Sequence, residues 1–268
     1  MKTLVLANQK GGVGKSAVAT QLAYYLSKCG VRVLFVDLDH QKNSSKALIK
    51  STLAVVVEKT ISPILLGETY QFDVAPLAII QGDDLLSGLE RQPDKHNGIA
   101  NNLAKLLDYA AQQSFDLCII DTNPNPDIRY AAALITGDFV LSPIQLNQEA
   151  IDGIGALMNH PRYGFHKIKA VLNKKIELIG ILPNMVESTP FQKENFRQLA
   201  QAYSQLLIKI QDNQFALIPK RSAIAEAQAD GEFLADIKKT AARDAWKAIK
   251  PSFDVIANKM NMELKDNG

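Results

Sequence analysis

Residues 10–16 read Lys-Gly-Gly-Val-Gly-Lys-Ser and follow directly on the apolar run Thr3-Leu4-Val5-Leu6-Ala7. A strand that runs into a glycine-rich turn, with Lys and Ser opening a helix, is the build of a loop that cradles phosphate. Gly11, Gly12 and Gly14 let the backbone curl so that several N–H groups point at one anion. The helix expected from Ser16 adds its positive end to the same place, and Val13 and Ala17 belong to the same cradle. In this pattern Lys15 reaches the β- and γ-phosphates of a nucleotide and the Ser16 hydroxyl can ligate Mg²⁺.

One departure from the ordinary Walker spacing is informative. Position 9 is Gln9 where that pattern has glycine, and a second lysine, Lys10, opens the loop. Lys10 is too close to the turn to serve the same phosphates from the same side as Lys15. A nucleotide held by a second subunit is the better use for it. Mg²⁺ takes few protein ligands and keeps several waters. Ser16 is the candidate direct ligand. Asp121, ending the apolar run Phe115–Asp121, is expected to hold a metal-bound water, and Asp37, ending the run from Val31, to assist. Asp39 lies two residues on, on the same side and further out.

Apolar runs near 3–7, 31–37, 72–80, 115–120, 138–144, 177–183 and 214–218 read as strands. Helical patterns near 16–28, 98–113, 148–159 and 190–210 separate most of them. This alternation predicts an α/β, doubly wound, mainly parallel sheet flanked by helices, with ligands at the carboxyl ends of the strands. Residues 51–100, broken by Pro63, Gly67, Gly82, Pro93 and Gly98, are the least readable. A chain of 268 residues, 47% hydrophobic and 22% charged, is expected to form a single globular domain over 1–268. No apolar run approaches a membrane span, and the start leads straight into a strand, so no leader is expected. Two cysteines, Cys29 and Cys118, without paired spacing suit a reducing cytoplasm. The net charge of +2 does not call for nucleic acid, so any DNA contact must come from a local patch.

The KGGVGKS loop resembles the deviant Walker A loop of the ParA/MinD superfamily, in which the position of Lys10 is the signature lysine. DLDHQKN (37–43), FDLCIID followed by Thr122-Asn123-Pro124, DFVLSPIQLNQEAIDGI (138–154), GILPNMVES (180–188) and IPKRSAIAEAQADG (218–231) resemble further blocks of that superfamily. With DIKKTAAR (236–243), the likeness points to small plasmid-partition ParA proteins of the IncC type. It implies an ATPase with Mg²⁺, an ATP-bound homodimer, nonspecific duplex DNA and a ParB-like centromere-binding partner as ligands, and a nucleoid-associated location. It assigns Asp39 to orienting the attacking water and Asn184 and Pro219 to the adenine edge. No helix-turn-helix extension is expected at the N-terminus. Relatives that bridge an Fe–S cluster are excluded by the missing paired cysteines.

Three positions depart from the superfamily pattern: His40 for proline, Lys42 for glycine, and Asn123 where proline or alanine is usual. At His40 a tolerated surface substitution is the simpler reading, and a titratable group near phosphate the other. Projected as a helix, residues 236–250 put Lys239, Arg243, Lys247 and Lys250, with Trp246 among them, on one side. Ile237, Ala241, Ala242, Ala245, Ala248 and Ile249 fall on the other. Alone this is an ordinary solvated face; the resemblance turns it into a DNA candidate, with Arg221, Lys220, Lys193 and Arg197 beside it. The alternatives are a MinD-like membrane ATPase and an ATPase that positions a protein cargo. The first needs an amphipathic anchor, for which Phe253, Val255, Ile256 and Met260 are the available residues, though they serve more simply as a packing helix.

Overall fold

In the computed structural model, which describes residues 1–212 and 214–265, a seven-stranded sheet carries the molecule. Its strands are β1 (Lys2–Leu6), β2 (Val33–Asp37), β3 (Val55–Val56), β4 (Leu77–Ile80), β5 (Leu117–Asp121), β6 (Phe139–Ile144) and β7 (Glu177–Pro183). They lie in the order β3-β4-β2-β5-β1-β6-β7, and every pairing is parallel.

Alternate residues divide each strand between two apolar layers, as the period of two requires. Val5, Leu34, Val36, Ile120 and Val140 pack with α3 (Ile61–Leu65), α4 (His96–Gln112), α5 (Ile128–Thr136) and α6 (Gln148–Asn159). Leu4, Leu6, Phe35, Ile119 and Leu141 pack with α1 (Lys15–Lys28), α9 (Ser222–Asp230) and α10 (Thr240–Lys259) on the other face. The remaining helices are α2 (Asn43–Leu48), α7 (Phe165–Val171) and α8 (Pro190–Tyr203). Asp37 and Asp121 share the parity of Phe35 and Ile119, so both carboxylates end their strands on the α1 face. They are register partners across β2 and β5, and both are fully buried. Each fully buried Leu or Ile beside them contributes roughly 1.5–3 kcal/mol, which offsets the cost of holding two acids out of water.

Several expected boundaries shift. The run 214–218 is not a strand of the parallel sheet. Only Gln214–Phe215 is extended, as β9, paired antiparallel with β8 (Lys209–Gln211). The helix expected over 190–210 ends at Tyr203. Leu207 beyond it makes a parallel bridge to Ile181, so the apolar pair Leu207-Ile208 is drawn into the sheet layer rather than a helix face. The helix expected over 236–250 begins at Thr240, after a short 3₁₀ turn at Leu234–Asp236, and continues past Pro251 to Lys259.

Candidate active site

The loop between β1 and α1 opens onto a cavity of about 670 Å³, lined by residues 11–17 together with Asp39, His40, Lys46 and Lys50. Gly12 and Gly14 take left-handed φ values of +74° and +80°, which side-chain-bearing residues rarely adopt. Gly14 also packs against Asn184: a Cβ there would lie 2.3 Å from Asn184 Nδ2. Lys15 is buried, its Nζ 3.3 Å from the Asn8 carbonyl oxygen and 3.5 Å from that of Lys10. Burial lowers its pKa, while the charges of Asp121 and Asp39 pull the other way. Asn8, not singled out in the sequence, holds the loop from beneath. Its side chain donates to the Pro143 carbonyl (2.8 Å) and accepts from the Lys10 N–H (2.8 Å).

The acids converge below the loop. Ser16 Oγ donates to Asp121 Oδ2 at 2.6 Å, and Ser44 Oγ donates to the same oxygen at 2.6 Å. Asp121 Oδ1 is buried with no hydrogen-bond partner among the described residues. Asp37 Oδ2 accepts from the N–H (2.9 Å) and hydroxyl (2.7 Å) of Ser45, and Asp37 Oδ1 from the Asp39 N–H (3.0 Å). Burial pushes the Asp37 carboxyl up to about 7, and the neighbouring Asp121 charge adds to the rise. Asp121 is raised by burial too, against the pull of Lys15 and its two serine hydroxyls.

Two buried acids, an orphaned carboxylate oxygen and a hydroxyl at a phosphate loop suit a small divalent cation. An uncompensated polar atom of this kind costs about 1–3 kcal/mol. No group of three or more His, Cys, Asp or Glu side chains encloses a metal among the described residues. Ser44 and Ser45 escaped the sequence reading because Asn43-Ser44-Ser45 resembles a loop more than the start of α2.

Asp39 lies in the segment after β2, lines the cavity, and accepts from the Gln41 N–H at 3.0 Å. His40 Nδ1 stands 3.4 Å from Asp39 Oδ1. Lys42 keeps a left-handed φ of +59° at the N-cap of α2 and ion-pairs with Asp84 at 2.7 Å. Lys10 points away from Lys15, its Nζ 2.5 Å from Glu149 Oε2 at the start of α6. In that pair Lys10 is half-buried and Glu149 exposed.

Asn184 and Pro219 line a second cavity, about 550 Å³, which shares Ala17, Met185, Gln228 and Ala229 with the first. The Asn184 amide nitrogen donates to the Val13 carbonyl at 2.7 Å, and the side chain is buried. Its donor therefore braces the phosphate loop, a role absent from the sequence reading. Gln145 braces it from another side, donating to the Gly12 carbonyl at 3.0 Å.

The basic stripe is only partly as expected. Arg243, Lys247 and Lys250 are exposed on α10, while Lys239 precedes its first turn. Lys250 pairs with Asp254 (2.9 Å) and Lys239 with Glu226 (3.7 Å). Trp246 does not join the stripe: it packs against Tyr25 and Phe233, at ring-centroid distances of 5.3 and 4.9 Å. Ala241 and Ala248, assigned to the apolar side, are exposed, because the buried face narrows to Ala242, Ala245 and Ile249. Of the other basic residues, Arg221 and Lys220 border the second cavity. Lys220 pairs with Glu187 (3.1 Å), Arg197 with Glu194 (2.7 Å), and Lys193 is exposed on α8. Phe253, Ile256 and Met260 are fully buried against the α1 layer and are not available as a membrane anchor. No described helix is long and apolar enough to cross a membrane.

Fold and site together define a P-loop nucleotide-binding protein of the deviant Walker A type. A family profile described as an AAA domain matches residues 1–178. Protein IncC of Escherichia coli is 35% identical over 272 residues, covering 98% of this chain and 71% of IncC. The chromosome-partitioning ATPase Soj of Thermus thermophilus is 30% identical over 236 residues, 88% of each chain. Among solved structures, the ATP complex of a Cyanothece McdA variant superposes with a TM-score of 0.77 at 20% identity, covering 100% of this chain and 99% of that one. The chain belongs to the AAA-domain family that this profile describes and to the ParA/MinD superfamily of partition ATPases.

Proposed function

We propose that the chain is a single-domain, Mg²⁺-dependent ATPase for DNA partition, which pairs face to face on ATP and then binds nonspecific duplex DNA. A ParB-like centromere-binding partner stimulates hydrolysis, which releases the dimer from DNA. The reading places the protein in the cytoplasm, on the nucleoid. Its main support is one convergence: Lys15, Ser16, Asp37 and Asp121 at the carboxyl ends of β1, β2 and β5, with Lys10 turned outward from the same loop.

Each residue then has a task. The backbone N–H groups of residues 11–17 and the Lys15 ammonium hold the triphosphate. Ser16 and, through water, Asp121 and Asp37 hold Mg²⁺, which neutralises phosphate charge when bound. Asp39 orients the attacking water. Lys10 leaves Glu149 and contacts the nucleotide of the partner subunit. Asn184 and Pro219 border the adenine. Arg221, Lys239, Arg243, Lys247 and Lys250 meet DNA phosphates.

The test is sedimentation with ATP, and ATP turnover, of wild type, Lys10→Ala and Asp39→Ala. Wild type should dimerise, Asp39→Ala should remain trapped as the ATP dimer, and Lys10→Ala should bind nucleotide as a monomer. A stable ATP dimer of Lys10→Ala would remove the assigned role of Lys10, and unchanged turnover in Asp39→Ala would remove Asp39 from the mechanism.

A further inference from the structure

His40, after β2, and Asn123, after β5, stand at opposite ends of one buried network. At its centre is Arg129, only 3% exposed, on the first turn of α5. Its Nε and Nη2 donate to Asp127 Oδ2 at 3.0 and 2.5 Å. The same oxygen accepts from Asn123 Nδ2 at 3.0 Å, and Asp127 Oδ1 caps α5 through the Arg129 N–H at 2.9 Å. The remaining arm, Nη1, reaches the other loop: 3.5 Å from the Leu38 carbonyl oxygen and 3.4 Å from His40 Nδ1. Asp39, between those two residues, lines the cavity; Arg129 does not. Asn123 Oδ1 is buried without a hydrogen-bond partner among the described residues, so the network leaves one acceptor open at its other end.

We propose that Arg129 is a positioning residue for hydrolysis, tying the Leu38–His40 segment to the Asn123–Asp127 loop so that Asp39 and Asp121 keep a fixed relation. The proposal rests on the ATPase reading above. A backbone bond from the Leu38 N–H to the Asp121 carbonyl (2.9 Å) already joins the two strands at their ends. Arg129 extends that tie past the strands, into the loops that face phosphate. Only a planar, multi-donor group can grip Asp127 with two nitrogens and still span to Leu38 and His40. Lysine keeps the charge against Asp127 but presents a single ammonium, so it satisfies the buried carboxylate and loses the span.

The experiment is a double-mutant cycle of Arg129→Lys and His40→Pro, with His40→Ala as a second way to cut the span. A proline at 40 fixes its own φ and restricts Asp39 before it, which constrains the segment without Arg129. Read out are kcat, the affinity for a fluorescent ATP analogue, and the unfolding midpoint. Arg129→Lys should lower kcat about ten-fold with analogue affinity within about two-fold, as expected for coupled neighbours. His40→Ala should lower kcat in the same direction. In the His40→Pro background the Arg129→Lys loss should shrink to about two-fold or less. Unchanged kcat in Arg129→Lys would overturn the proposal. So would a fall matched by lost analogue affinity or lost folding, or losses that multiply through the cycle. A wild-type chain that neither binds nor hydrolyses ATP would instead overturn the ATPase reading on which the proposal stands.

Discussion

The hydroxyls of Ser16 and Ser44, one from the phosphate loop and one from α2, both donate to the same oxygen of Asp121 at 2.6 Å. They are not equivalent, because only Ser16 lines the cavity. If Ser16 is the direct ligand proposed above, Ser16→Ala should raise the Mg²⁺ concentration needed for analogue binding by about ten-fold or more. Ser44→Ala removes only an orienting contact and should have the smaller effect. Mg²⁺ titrations of analogue binding check this, and an equal or reversed ranking would count against the ligand assignment.

The raised Asp37 carboxyl fixes the sign of a pH effect. Between its ordinary value of 3.8 and about 7, the metal-free folded chain holds a proton that the unfolded chain has released. Stability therefore falls as pH rises through that window, by on the order of a few kcal/mol, and stays lower above it. Urea unfolding at pH 5 and pH 8 without metal should show the loss. Asp37→Asn should reduce it, leaving the part that the raised Asp121 carboxyl contributes, and Mg²⁺ with nucleotide should restore more stability at pH 8 than at pH 5. A metal-free chain more stable at pH 8 would contradict the assignment.

Gly14→Ala meets two obstacles, a left-handed φ and Asn184 Nδ2 at 2.3 Å from the new Cβ. The first alone costs about 1–2 kcal/mol. Analogue affinity should fall at least about ten-fold, by the general conversion of about 1.4 kcal/mol per decade. Adding Asn184→Ala should relieve the collision but not the backbone strain, and it also removes the Val13 brace, so the double variant should stay well below wild-type affinity. Full recovery in the double variant would show that packing alone makes this position glycine.

On α10 the exposed cations differ in what they already hold. Lys250 and Lys239 have acidic partners, while Lys247 has no ion pair or hydrogen bond among the described residues. If the stripe meets DNA phosphates, each alanine substitution should lower the salt slope of binding by about one. Lys247→Ala and Arg243→Ala should cost the most affinity, since those side chains bring fewer competing carboxylates. An unchanged slope in both would move the DNA surface elsewhere on the molecule.

The phosphate loop and the three acids were legible because their chemistry is local: glycines, a Lys-Ser pair, and acids that end apolar strands. Ser44, Ser45, Asn8 and Arg129 were not, since each acts across the sheet or between loops and its own sequence neighbourhood looks ordinary. The short elements α2, α3 and β3 lie in or beside the stretch that Pro63, Gly67 and Gly82 break up, and only tertiary packing makes them regular. The α5 helix was hidden behind Asn-Pro-Asn-Pro, although Asp127 caps it in the ordinary way. The helix projected over 236–250 stopped short of Pro251, yet α10 carries on past it, because Phe253, Ile256 and Met260 bury the turns beyond. Lys42, where the superfamily pattern has glycine, itself takes the left-handed backbone, beside its Asp84 pair.

DNA binding that depends on the nucleotide is the central property of a partition ATPase of this kind. The measurement is binding to random-sequence duplex DNA with no nucleotide, with ADP and with ATP, each at two salt concentrations. Tight binding with ATP alone, weakened at the higher salt, is the predicted result. Binding that ignores the nucleotide, or none in any state while ATP is still hydrolysed, would contradict the partition reading.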